Sequence, residues 1–177
     1  MYATYDSPIG VLTLCADERG LTALRFPGEA ADGRAIPAGR AAAPGAVLAD
    51  AGRQLDEYFR GERRRFDLAV HLAGTPFQRA VWERLLAIPY GATISYGALA
   101  REVGRPERVR AVAAAVGRTP VPIVVPCHRV IGADGSLTGY GGGLDRKQAL
   151  LDLERGVAAG LGPQPAWAFR QLDLALG

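Results

Sequence analysis

The chain has 177 residues, 49% of them hydrophobic and 22% charged, with a formal net charge of +3. That length suits one compact unit or two small domains sharing a core, and the composition excludes a disordered or fibrous chain. No window is apolar for long enough to span a bilayer, and the start, MYATYDSPIG, has neither the basic end nor the apolar core of a signal peptide, so the cytoplasm is the expected compartment.

In chain order, 2–6, 11–16 and 20–26 read as strands, with Pro8 and Gly10 marking the first reversal. Residues 28–45, rich in Ala, Gly and Pro without periodicity, are expected to be an exposed loop. Over 46–60 the apolar positions Val47, Leu48, Leu55, Tyr58 and Phe59 predict an amphipathic helix, and 66–72 a closing strand. Residues 1–73 are therefore expected to form a small α/β domain, in which no catalytic constellation is visible.

The texture changes at Thr75. Thr75 can cap a helix that has Pro76 at its first position and Gln78 completing a capping box, with Phe77, Val81, Leu85 and Ile88 as its inner stripe. Ser95 can cap the next helix, which faces Leu99 and Val103 inward and ends at Gly104. A third helix starts at Pro106 and stops at Gly117, with Val109, Val112, Ala113 and Val116 as its buried stripe.

Two short helices across a tight turn make a helix-turn-helix, although a hairpin that only packs reads the same way. The outer side of the second helix carries Arg110, Ala114 and Gly117, a cation followed by very small residues, which lets a backbone come close to a polyanion. Residues 76–156 hold 11 Lys+Arg against 7 Asp+Glu, or +4, which suits an anionic partner and equally a solvated surface. Beyond them, 123–125 reads as a short buried extended segment and 139–143 as a flexible loop. Asp145 is expected to cap a last helix with Ala149, Leu150 and Leu153 inside.

The two cysteines are Cys15, in an apolar run where an inert buried thiol is usual, and Cys127. Two cysteines and two histidines scattered singly make no zinc site, and a Cys15–Cys127 disulfide is not expected in the cytoplasm. Cys127 stands in PVPIVVPCHRVIGADG, residues 120–135, beside His128 and Arg129. Thiolate is the reactive form, favoured by a nearby imidazole or guanidinium, yet adjacency in sequence does not put a Cys and a His side chain in contact.

The wider context is more specific. PCHRVIGADGSLTGYGGG, preceded by IPYGATISYGALA and RAVAAAV and followed by RKQALLDLE, resembles the O6-alkylguanine-DNA alkyltransferases over residues 75–156; the first seventy residues resemble that family's N-terminal domain more loosely. The resemblance implies an α+β protein. A small ribonuclease H-like α/β domain (1–73) would precede a mainly helical, winged-helix-like domain with a helix-turn-helix (74–156), and the tail, 157–177, has no named role.

It also implies roles. Cys127 would accept the alkyl group, His128 would take the thiol proton through a water, and Glu154 would hold the His128 tautomer. Tyr96 would donate its hydroxyl to the leaving guanine, and Lys147, the only lysine, would lower the thiol pKa. Arg110 would enter the base stack when the damaged nucleotide is flipped out, with Ala111, Ala114 and Gly117 along the minor groove. The backbone carbonyls of Cys127 and Val130 would read the guanine amino group, and Tyr140 and Gly141 would wall the pocket. The partner would be double-stranded DNA containing O6-alkylguanine, the protein a monomer with cooperative binding left open, and no membrane, metal or cofactor would take part.

These residue types make chemical sense together. Displacement at an alkyl carbon needs a soft nucleophile and help for the leaving group, not an oxyanion hole. Its thioether product offers water no carbonyl to attack, so each molecule should react once. A cysteine protease fits poorly, since the only other histidine is His71, in an expected strand. A non-catalytic alkylated-DNA-binding or regulatory helix-turn-helix protein is the other alternative, against which the presence of Cys127 counts. One position departs from the family pattern: Thr119 precedes Pro120 where an asparagine is usual.

Overall fold

A computed structural model describes residues 1–28 and 45–163. Strands β1 (Tyr2–Ser7), β2 (Gly10–Asp17) and β3 (Gly20–Arg25) form an antiparallel sheet in that order. The first hairpin closes at Ser7 opposite Gly10, whose φ of 111° is the left-handed value glycine tolerates. Leu12 and Leu14 of β2 and Leu21 and Leu24 of β3 are buried under helix α1 (Ala46–Phe59), which contributes Leu48, Ala51, Leu55, Tyr58 and Phe59. The 28–45 loop expected from composition lies outside the described residues except at its two ends.

The closing strand expected over 66–72 does not form. Only one parallel bridge, Leu21 to Val70, joins this segment to β3. The buried side chain of Gln54 takes the place of a strand partner: its amide donates to the Asp67 carbonyl at 2.8 Å and accepts from the Asp67 N–H at 2.8 Å. Those two bonds satisfy the Asp67 backbone groups without a ladder.

Helix α2 (Pro76–Leu86) begins as expected, with Thr75 and Gln78 forming both bonds of the capping box. It buries Val81, Trp82 and Leu85, and the Trp82 indole N–H donates to the Ala115 carbonyl at 2.9 Å. Helix α3 (Tyr96–Glu102) is capped by Ser95, which accepts from the Ala98 N–H at 3.1 Å, and the turn after it passes through Gly104 at φ 73°. The second helix of the pair opens as a 3-10 turn, Pro106–Arg108, before α4 (Val109–Gly117). The tighter turn changes the phase of the inner face. Val109, expected inside, is 37% exposed, and Ala115 joins Val112 and Val116 in the core.

Residues 123–125 were expected to be extended and are not. The Val125 N–H donates to the Val121 carbonyl at 2.9 Å, and Ile123 adopts φ 73° in a buried turn. Pro120, Pro122 and Pro126 offer no N–H, so a ladder cannot run through this stretch. A left-handed β-branched residue costs about 1–3 kcal/mol, which the surrounding core must hold. Part of that hold is the sheet itself, since the Leu24 N–H donates to the Pro120 carbonyl at 2.9 Å.

Two short parallel strands, β4 (Ile94–Ser95) and β5 (Val130–Ile131), tie the start of α3 to the segment after Cys127. Helix α5 (Leu144–Ala158) starts after Gly143 at φ 90°; Asp145, expected as its cap, sits inside the first turn and makes no cap bond. The positive φ at Gly143 already turns the chain into the helix, which leaves Asp145 past the capping position. No helix among the described residues is long and apolar enough to cross a membrane.

Candidate active site

Cys127, His128 and Arg129 form one buried 3-10 turn, entered from Pro126. The Cys127 N–H donates to the Val125 carbonyl at 2.7 Å and the Val130 N–H to the Cys127 carbonyl, so both sides of the thiol's backbone are fixed. Cys127 is 5% exposed and lies in a cavity of about 20 Å³ lined by Phe26, Val116, Gly117, Thr119, Pro122, Gly139, Tyr140, Gly141 and Gly142. The expected wall residues Tyr140 and Gly141 are therefore beside the thiol, and so is the end of α4. Cys15 is free on β2 and buried, which pushes its thiol pKa up.

Behind the thiol, five donors converge on the Glu154 carboxylate of α5. Oε1 accepts from His128 Nε2 at 2.7 Å, Arg129 Nη2 at 2.9 Å and the Tyr58 hydroxyl at 2.9 Å; Oε2 accepts from Arg129 Nε at 2.8 Å and the Gly91 N–H at 3.1 Å. Arg129 Nη1 also donates to the Ile88 carbonyl at 2.6 Å. Burial alone would raise the Glu154 pKa, but His128 and Arg129 outweigh it and hold the carboxyl well below its usual range. His128 goes down as well, because burial, helped by Arg129 and Lys147, exceeds the pull of Glu154. The imidazole is thus neutral, with its proton on Nε2 toward Glu154. Its Nδ1, buried without a hydrogen-bond partner among the described residues, carries the lone pair.

Tyr96 and Lys147 meet at one carbonyl. The Tyr96 hydroxyl donates to Thr138 O at 3.1 Å and Lys147 Nζ to the same atom at 2.9 Å, with Nζ 5.9 Å from the Tyr96 ring centroid. Burial lowers the Lys147 pKa, against the opposing pull of Cys127, and raises that of Tyr96. Val130 is fully buried in β5. On α4, Arg110, Ala111, Ala114 and Gly117 are all exposed. Gly117 belongs to both regions: it ends the exposed face and lines the cavity, while a Cβ added to it would meet nothing within 4 Å. Arg110 itself is not among the cavity residues. His71 is engaged elsewhere, with Nδ1 at 2.7 Å from Asp17 on β2, which removes it as a partner for Cys127.

Sequence reasoning missed Tyr58, Gly91 and Phe26, and it gave Arg129 no task. Tyr58 was readable only as an apolar position of α1; nothing local announces a bond to a residue 96 positions later. Arg129 had one signal, its place beside a Cys–His pair.

The cavity beside the Cys127 thiol thus reaches the small-residue end of α4, the second helix of the helix-turn-helix pair. The DNA-binding domain model of 6-O-methylguanine DNA methyltransferase matches residues 76–156, and the ribonuclease-like domain model of the same protein matches residues 1–72. The chain belongs to the 6-O-methylguanine DNA methyltransferase family. It binds DNA and repairs it directly, by moving an alkyl group onto a cysteine of its own.

A methylated-DNA–protein-cysteine methyltransferase of Mycolicibacterium paratuberculosis is 53% identical over 154 residues, covering 87% of this chain and 92% of the relative. One from Methanosarcina acetivorans is 45% identical over 162 residues, covering 86% and 97%. Among solved structures, Mycobacterium tuberculosis OGT in complex with DNA superposes with a TM-score of 0.81 at 46% identity, covering 94% of this chain and 96% of that one.

Proposed function

We propose that Cys127 is the acceptor and that the substrate is O6-alkylguanine in double-stranded DNA. The observation that carries this reading is the position of Cys127 in a cavity walled by Val116 and Gly117, at the end of the helix that presents Arg110. Small residues at Ala111, Ala114 and Gly117 let α4 lie close to a minor groove, and Arg110 fills the stack left by a nucleotide turned out toward the thiol. His128 Nδ1 takes the thiol proton through an intervening water. The sulfur then forms a bond to the alkyl carbon as the carbon–O6 bond breaks, leaving its electron pair on the base. Tyr96, once released from Thr138, supports the departing guanine with its hydroxyl, and the proton lost by the thiol is the one the base gains overall. Lys147 offsets negative charge at the sulfur, and the carbonyls of Cys127 and Val130 accept from the guanine amino group.

The thioether product has no route back to the thiol, so the reaction is stoichiometric. The chain acts as a monomer in the cytoplasm. A comparison of Cys127→Ala with Cys15→Ala on an O6-methylguanine duplex tests the assignment. Repair should vanish in the first and persist in the second; repair that survives Cys127→Ala would overturn it.

A further inference from the structure

The wall over Cys127 is held at both ends by neighbouring residues of one helical turn. At its start, Lys147 and Tyr96 both donate to the Thr138 carbonyl. At its end, Arg146 Nη1 donates to the Gly142 carbonyl at 2.7 Å, while Arg146 Nε donates to the Ile9 carbonyl, in the turn between β1 and β2, at 2.8 Å. Between these anchors run Gly139, Tyr140 and Gly141, and Gly139 adopts φ 48°.

Phe26, the residue after β3, fills the angle between sheet and wall. Its ring centroid is 5.6 Å from that of Tyr140, and the Arg146 guanidinium carbon lies 5.7 Å from it. Gly142 presses against the same ring so closely that a Cβ there would lie 2.7 Å from Phe26 Cδ2. Phe26 also lines the cavity that holds Cys127.

That cavity, about 20 Å³, has room for no more than a water molecule. A purine enters only if the wall shifts, and the end of the wall that faces the N-terminal sheet is the one Phe26 and Arg146 hold. We propose that Phe26 and Arg146 are positioning residues that latch the wall to the N-terminal sheet, and so set how wide the pocket opens and which alkyl sizes reach Cys127. The proposal rests on Cys127 as the acceptor. Neither residue needs to touch the reacting atoms; each acts through Gly142 and Tyr140. Loosening the latch therefore favours bulky groups over methyl, whereas general damage to the fold lowers both rates together.

The test uses the full chain with Arg146→Met, Arg146→Lys, Phe26→Ala and Phe26→Leu. Rates of Cys127 modification by free O6-benzylguanine and free O6-methylguanine are measured by peptide mass, with melting temperatures alongside. The benzyl-to-methyl rate ratio should rise about fivefold in Arg146→Met, the effect of losing roughly one net hydrogen bond from the closed wall. It should rise in Phe26→Ala too, and lie nearer the starting value in Arg146→Lys and Phe26→Leu. Should the Phe26 variants fail to fold, Arg146→Met decides alone. A ratio unchanged in Arg146→Met, with methyl transfer to Cys127 intact in the unaltered chain, overturns the latch. Absence of that transfer overturns the acceptor assignment beneath it.

Discussion

Glu154 collects hydrogen bonds from Tyr58, Gly91, His128 and Arg129, and the state of His128 follows from that arrangement. With the carboxylate holding Nε2–H, only Nδ1 is left to accept a proton, and burial, by lowering the His128 pKa, leaves that nitrogen unprotonated at neutral pH. The pKa shifts fix the sign of the pH dependence. Both folded-state values lie below their unfolded ones, so the unfolded chain binds protons first as pH falls, and acid destabilises the fold. The His128 contribution is lost from about pH 6.5 downward and that of Glu154 below about pH 4.3, the ordinary values of the two groups. The alkyl-transfer rate, read by single-turnover kinetics, should accordingly hold steady through neutrality and fall only below about pH 6.5. An acid limb centred above the ordinary histidine value would contradict a neutral buried His128. Of this network the residue types at 128 and 154 could be proposed from sequence, through the PCHR motif and its resemblance. The Tyr58 contact could not, because a buried tyrosine on an amphipathic helix reads as core until its hydroxyl is seen.

Helix α4 shows how unevenly sequence reports on an element. Its existence, its end at Gly117 and its small outer residues follow from local pattern. Its phase does not, since the 3-10 start at Pro106–Arg108 turns Val109 outward, and no residue there announces the tighter winding. The capping box of α2 is the opposite case, being entirely local and so entirely readable. If Arg110 serves base flipping, Arg110→Ala should lose repair of duplex DNA far more than reaction with the free base, which needs no extrusion. Equal losses in the two assays would count against that role.

Just past α4, the Thr119 hydroxyl donates back to the Val116 carbonyl at 2.7 Å, and Thr119 lines the Cys127 cavity. Its bond thus stays within the helix end. An asparagine has two donors and an acceptor, enough to reach across as well. Thr119→Asn should tighten the join between α4 and the Cys127 turn by on the order of 1 kcal/mol. That gain would be seen as a higher melting temperature or a faster transfer. A fall in both would show that threonine suits this junction better.

On the scale of the molecule, the N-terminal unit does more than stand beside the reactive one. Tyr58 reaches Glu154, Leu24 bonds the Pro120 carbonyl, and Phe26 faces the thiol cavity. The change of texture at Thr75, where α2 begins, was legible because caps and periodicity are local properties. These three joints were not, because each links residues remote in sequence, and the left-handed Ile123 that aims the segment toward Cys127 contradicts its own intrinsic preference. Cys127 is one of two buried thiols, and the proposed chemistry belongs to it alone. Peptide mass mapping after incubation with an O6-methylguanine duplex tests this most directly. One added methylene per chain, confined to the Cys127 peptide and absent from the Cys15 peptide, is the predicted result, whereas repaired DNA with Cys127 unmodified would contradict it.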